Sequence, residues 1–207
     1  MFVIPVINEA EFGEVLKKIK IAAKFSPWLH FDIADGKFTN HKTWDNPKDL
    51  VNLKSNIEIH LMVENPEIVV KDWVEAGVKR IIFHLEAINI WKFNFHREVE
   101  LPKIEIGVAI NPETPAENLT PYLKEIKFVQ ILAVKPGPGG QKFQPAVLEK
   151  IKFLKKNYPD VIIEVDGGIN LENAKLAKEA GTDIIVSASY IFGSSDPRKA
   201  YQALTAI

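Results

Sequence analysis

His30 and Asp32 stand two positions apart in the run Trp28-Leu-His-Phe-Asp-Ile-Ala-Asp-Gly36. Trp28–Ile33 reads as a buried strand, and a period of two puts both side chains on one face. An imidazole and a carboxylate buried side by side are costly unless something pairs with them. His60 closes the alternating run through Ile57 and Ile59, and Asp166 closes Val161-Ile-Ile-Glu-Val165. A lone inward histidine is more often an ordinary core residue. Two imidazoles and two carboxylates at or near the ends of three strand-like segments point instead to a divalent metal. Zinc, iron(II), manganese and cobalt all accept such ligands, and the ligand types do not choose among them.

The elements that must position these residues alternate from end to end. Strand-like runs fall near Phe2–Ile7, Trp28–Ile33, Ile57–Met62, Arg80–His84, Ile104–Ile110, Phe128–Val134, Val161–Val165 and Asp183–Ser187. Several are apolar at successive positions, as parallel strands covered on both faces are. Helical segments lie between them. Asn8 is expected to cap one running to Ile21, and Asn65-Pro66 opens another ending near Gly77. Pro145 opens a third, through Asn157. Asn170 precedes Leu171–Ala180, with Gly181 as its stop, and Asp196-Pro197 opens the last, through Ala206. Asn46–Leu53 and Pro115–Lys124 read as short helices, and Ala87–Glu100 gives no clear helix. The pattern predicts a single α/β domain over residues 1–207, a (β/α)₈ barrel. A doubly wound sheet shares the alternation. The barrel is favoured because polar and glycine-rich residues cluster after strands two, three, six, seven and eight, on one face.

Three of those clusters are loops of small residues. Lys135-Pro-Gly-Pro-Gly-Gly-Gln141, Asp166-Gly-Gly-Ile169 and Ser187-Ala-Ser-Tyr-Ile-Phe-Gly193 follow strands six, seven and eight. Glycines let backbone N–H groups approach an anion, and barrels often hold phosphate after their last strands. Any one loop alone reads equally well as a tight turn. Three on one face point to phosphate. Pro138 has no N–H, so donors in the first loop must come from neighbours such as Gly139, Gly140 and Gln141.

Composition narrows the class. The chain has 207 residues, 46% hydrophobic and 26% charged, which suits one soluble globular domain. With 26 basic and 27 acidic residues, nothing points to a nucleic-acid partner. There is no cysteine, so thiolate chemistry and disulfides play no part. No apolar run reaches membrane-spanning length, and the start lacks the pattern of a signal peptide. A cytoplasmic protein is the default expectation.

The chain resembles the ribulose-phosphate 3-epimerase family. The likeness rests on His30-Phe-Asp-Ile-Ala-Asp-Gly-Lys-Phe38 with Asn40, on His60-Leu-Met-Val-Glu-Asn-Pro66 and on Phe83-His-Leu-Glu-Ala87. It continues through Asn111-Pro-Glu-Thr-Pro115, Val134-Lys-Pro-Gly-Pro-Gly-Gly-Gln141, Val165-Asp-Gly-Gly-Ile-Asn170 and Ile191-Phe-Gly193, in the family's order. The resemblance implies one divalent metal ion held by His30, Asp32, His60 and Asp166. It implies that Asp32 and Asp166 are also the acid–base pair. It places phosphate on Gly139, Gly140, Gly167, Gly168, Ala188 and Ser189, with Met62 against the substrate. A small sugar phosphate is the implied partner, and a homo-oligomer the implied assembly.

The chemistry is consistent with that set. Epimerising a carbon beside a ketone removes a C–H proton on one face and returns one on the other, which needs two groups. Negative charge on the enediolate between them calls for a nearby cation. Four departures from the family fall on the substrate wall: Val6 in place of a serine, Ala34 and Leu132 in place of methionines, and Pro138 in the sixth loop. They leave two other readings open, an epimerase of a six-carbon ketose phosphate and a phosphosugar-binding barrel without turnover. Decarboxylases and synthases of related barrels carry an Asp-x-Lys-x-x-Asp run that is absent here. Asp35 is expected to shape its turn, and His84 and Glu86 to lie near the mouth. His41 and His96 are expected on the surface, and Trp44, Trp73 and Trp91 in packing.

Overall fold

The computed structural model describes residues 1–87 and 104–207, and in them eight parallel strands close into a barrel in chain order. These are β1 (Phe2–Ile7), β2 (Trp28–Ala34), β3 (Asn56–Met62), β4 (Arg80–His84), β5 (Glu105–Ile110), β6 (Phe128–Leu132), β7 (Ile162–Asp166) and β8 (Ile184–Ser187). All eight expected strands are present, with ends shifted by a residue or two. Closure is explicit, because β1 pairs with both β2 and β8. That excludes the doubly wound alternative, in which a sheet has two free edges.

Among the described residues six helices surround the barrel: α1 (Phe12–Ala22), α2 (Pro66–Glu75), α3 (Val147–Asn157), α4 (Leu171–Ala180), α5 (Ser189–Phe192) and α6 (Pro197–Thr205). Their apolar faces cover the outward side chains of the strands. Val15 and Ile19 of α1 and Val70 and Trp73 of α2 share one buried cluster with Phe31, Ile59 and Leu61. Ile151 of α3, Ala177 of α4 and Leu204 of α6 share another with Val129, Val165 and Ile185. Trp44 packs edge-on against Trp73, as expected. The cap of α4 is as read: the Asn170 side chain accepts from the Asn173 N–H, and Gly181 follows at φ 109°.

Some expectations are corrected. Asn8 caps nothing, since α1 begins after Glu11 and the Asn8 amide is engaged elsewhere. Asn46–Leu53 shrinks to a 3₁₀ turn over Pro47–Leu50, and Pro115–Lys124 to one over Ala116–Leu119. The third helix starts at Val147, two residues beyond Pro145. The segment read through Ala87–Glu100, with Trp91 and His96, lies outside the described residues from 88 onward.

The inward faces hold an apolar cluster of Ile4, Val6, Ile82, Ala109, Phe128, Leu132, Ile184 and Val186. Gly107 lies under it, where an added Cβ would stand 2.7 Å from the Phe128 ring. Below the carboxyl ends the interior turns polar. Arg80 sits with its guanidinium carbon 3.8 Å from the centre of the Phe128 ring and 4.9 Å from that of Trp28. Its Nη1 donates to the fully buried Glu58, and its Nε donates to Glu105 at 2.8 Å. Buried charges persist only when paired. Arg80→Met removes the guanidinium from Glu58 and leaves His30 as its remaining partner, so unfolding stability should fall by about 3–5 kcal/mol in a urea titration. A loss below about 1 kcal/mol would show that the pair carries little of the barrel floor.

Candidate active site

Two cross-strand pairs stack inside the barrel between β2 and β3. His30 lies opposite Glu58, and one step higher Asp32 lies opposite His60. From β7, Asp166 ends its strand beside them. Asp32 Oδ1 is 3.2 Å from His30 Nε2 and 3.0 Å from His60 Nδ1, and Asp166 Oδ2 is 3.8 Å from His60 Nδ1. Ligand atoms of all four residues lie within 4.8 Å of one another. Around one ion with bonds of about 2.0–2.2 Å, tetrahedral ligands stand roughly 3.3–3.6 Å apart. The spacing fits a divalent cation.

Proton placement supports the same fit. His84 Nδ1 is 3.0 Å from Glu86, and its Nε2 is 2.9 Å from His60 Nε2. If His84 Nδ1 carries the proton given to Glu86, its Nε2 accepts from His60 Nε2–H. A neutral His60 then aims its Nδ1 lone pair between two carboxylates, where only a cation is a good partner. Burial outweighs the charge of Asp32 and lowers His60 to a pKa of about 4, so it is neutral at pH 7. On His30 the other nitrogen is secured: Nδ1 meets Glu58 at 2.8 Å, leaving Nε2 toward the centre.

The carboxylates differ. Burial acts to raise Asp32, but the hydrogen bond and charge of His30 hold it well below the usual carboxylate range. Burial pushes Asp166 up to about 7, and the charges of Asp32 and Glu58 add to the rise. Glu164, directly beneath Asp166 on the same face, is raised by burial and by Glu58. Two carboxyl groups a few ångströms apart thus favour opposite protonation states.

Above this centre lies an open pocket with about 520 Å³ of free space, part of it continuous with solvent. Asp32, Met62, Gly139, Gly140, Asp166, Gly167, Gly168, Ala188 and Ser189 all line it, so the loops after β6, β7 and β8 face one space. His30 and His60 lie fully buried beneath. Close approach explains the β7 glycines. A Cβ on Gly167 (φ 108°) would sit 2.5 Å from Val134, and one on Gly168 (φ 65°) 2.4 Å from the Phe143 backbone nitrogen. Val6, Leu132 and Pro138 line the cavity as well, whereas Ala34 does not.

Several residues stand differently from their sequence reading. His41, expected on the surface, is half-buried and bonds Asn8 at 2.8 Å. Asn8 Nδ2 in turn donates to Asp32 Oδ2 at 2.7 Å. Glu58 was missed as a partner of His30, although it shares the parity of His60 on one strand, a signal that was available. Asp35 shapes its turn as expected, accepting from the Lys37, Phe38 and Glu64 N–H groups.

A closed barrel with histidines and aspartates toward the carboxyl ends of its strands, beneath loops rich in glycine, has its candidate site where barrel enzymes carry theirs. Residues 2–192 match the model of the ribulose-phosphate 3 epimerase family. The chain belongs to this family of isomerases. It is 34% identical over 212 residues to ribulose-phosphate 3-epimerase of Bacillus subtilis, covering 96% of this chain and 95% of that one. To the Methanocaldococcus jannaschii enzyme of the same name it is 36% identical, covering 96% and 87%. To that of Schizosaccharomyces pombe it is 31% identical, covering 97% and 90%. Among solved structures, KGPDC from Streptococcus mutans, in complex with D-R5P, superposes with a TM-score of 0.73 at 12% identity over 99% and 95% of the chains. Orotidine 5'-phosphate decarboxylase from Pyrococcus horikoshii does so with 0.69 at 17% identity over 98% and 97%. These two likenesses concern the fold. Among the described residues, no helix is long and apolar enough to cross a membrane.

Both His30 nitrogens face carboxylates, which raise it well above its ordinary value against the opposing effect of burial. His30, raised above its ordinary value, and Asp166, near 7, therefore hold protons that compete with a bound cation. Affinity for Zn²⁺ or Mn²⁺ should weaken at least about tenfold from pH 8 to pH 6, with proton release on binding. Calorimetry in buffers of different ionisation enthalpy measures both. An affinity independent of pH would contradict this arrangement.

Proposed function

We propose that the chain interconverts D-ribulose 5-phosphate and D-xylulose 5-phosphate by two-base proton transfer, with a divalent metal held by His30, Asp32, His60 and Asp166. The observation that carries the reading is the pair of unlike carboxyl groups, Asp32 and Asp166, at one cavity ringed by the three glycine loops. The relatives' shared name supports the substrate.

The ketose phosphate lies across the barrel mouth. Backbone N–H groups around Gly139, Gly140, Gly167, Gly168, Ala188 and Ser189 bind its phosphate, and Met62 packs against its carbon chain. One aspartate takes the C3 proton while the other, protonated, delivers a proton to the opposite face. Asp32, held ionised, and Asp166, poised near neutrality, are suited to begin in opposite states. The metal, when bound, supplies positive charge that stabilises the enediolate oxygens. Burial of His30 and His60 holds these two ligands away from solvent. A homo-oligomeric state, implied by the family, belongs to the same proposal, as does a location in the cytoplasm.

Proton exchange tests it. In D₂O with metal and ribulose 5-phosphate, deuterium should enter C3 as xylulose 5-phosphate forms. Asp166→Asn should lower turnover by at least about a thousandfold while the fold persists. Near-normal turnover of that variant would overturn the two-base assignment. Val6 and Leu132 leave the cavity wall apolar, so a six-carbon ketose phosphate belongs in the same assay. Faster exchange on it would move the substrate assignment and leave the reaction class intact.

A further inference from the structure

Asp32 is asked to act as both a metal ligand and a base, and its two oxygens have separate surroundings. Oδ1 faces His30 Nε2 and His60 Nδ1. Oδ2 receives the Asn8 side-chain amide at 2.7 Å. The same Asn8 nitrogen donates to the Gly137 carbonyl at 3.3 Å, in the loop after β6. Both partners are acceptors only, so the amide must present its NH₂ to them. Its oxygen then points to His41 Nε2, 2.8 Å away, which must be the protonated nitrogen. His41 therefore sets the direction of the amide, and the amide sets the rotation of the carboxylate. His41 is itself placed by the loop after β2, where its N–H donates to Thr39 Oγ1 at 2.9 Å.

We propose that Asn8, oriented by His41, is a positioning residue that divides the work of Asp32, leaving Oδ1 as the metal-side oxygen and presenting Oδ2 to the substrate as the base. This rests on the two-base reading above and deepens it. Asn8 lines the cavity beside Asp32. A carboxylate oxygen has two lone pairs, of which Asn8 occupies one and the substrate proton takes the other. As the C3–H bond breaks, the proton forms the new O–H bond on Oδ2, the electron pair left behind forms the C2–C3 double bond, and the carbonyl π pair moves onto the C2 oxygen to give the enediolate. The reverse step returns that pair to C3. Without Asn8 the carboxylate can rotate about its terminal torsion, which is intrinsically soft, and the base oxygen loses its aim.

The test compares wild type with Asn8→Leu, His41→Leu and His41→Gln, each loaded with the same metal and assayed on ribulose 5-phosphate and xylulose 5-phosphate. Asn8→Leu should lower kcat at least tenfold, with KM within threefold and with metal affinity and melting temperature near wild type. His41→Leu should lower kcat in the same way. His41→Gln, whose amide again offers a donor to the Asn8 oxygen, should recover most of that loss. Unchanged kcat in Asn8→Leu overturns the inference. So does a kcat loss matched by an equal loss of metal affinity, which would make Asn8 a support for the metal alone. So does failure of His41→Gln to outperform His41→Leu when both are folded. A wild-type protein with metal bound and no exchange on either substrate, nor on a six-carbon ketose phosphate, overturns the two-base reading itself, and this inference falls with it.

Discussion

The Asp32–His60 pair across β2 and β3 is the contact on which the site depends. Its two residues are opposite neighbours in a parallel ladder, so their separation follows from the hydrogen bonding of the sheet and not from loop conformation. Around it, each ring nitrogen has an assigned partner. His30 is tied to Glu58 and through it to Arg80, and His60 is tied to His84 and through it to Glu86. Such outer partners fix which nitrogen is free to bind a cation and which way the ring points. The same contacts make the centre costly to leave bare, since two carboxylates and two imidazoles share a small buried space.

The rest of the fold follows from that demand. A buried charged floor under the centre has to be neutralised, and Arg80, between Trp28 and Phe128, meets Glu58 there. In the proposed reading the mouth admits a phosphate, and the glycine-rich loops after β6, β7 and β8 face that space with backbone N–H groups suited to hold it. Gly167 and Gly168 adopt positive φ and lie so close to Val134 and Phe143 that no side chain fits. Strands supply the precision and loops supply the opening, the division of labour expected of this barrel.

Much of this was legible in the sequence because strand periodicity is short-range. Parity alone put His30 and Asp32 on one face, and the runs ending at His60 and Asp166 placed those two at strand ends. Parity would also have exposed Glu58, two residues before His60, and Glu164, two before Asp166, had the inward faces been read as polar. Asn8 and His41 were not legible. Asn8 reads locally as a helix cap, and its partners are 24, 33 and 129 residues away, a juxtaposition that only closure of the barrel creates. The 3₁₀ turns at Pro47–Leu50 and Ala116–Leu119 were overextended for a related reason: propensity marked where they begin, and packing decided where they end.

The most direct test of the account is the position of the metal itself. Crystals of the protein grown with Mn²⁺ or Zn²⁺ and measured on either side of the metal's absorption edge should show one strong anomalous peak per chain. It should lie within about 2.0–2.3 Å of His30 Nε2, His60 Nδ1 and one oxygen each of Asp32 and Asp166, with Asp32 Oδ2 still held by Asn8. A peak at another site, or none at an affinity that calorimetry shows to be saturated, would contradict it.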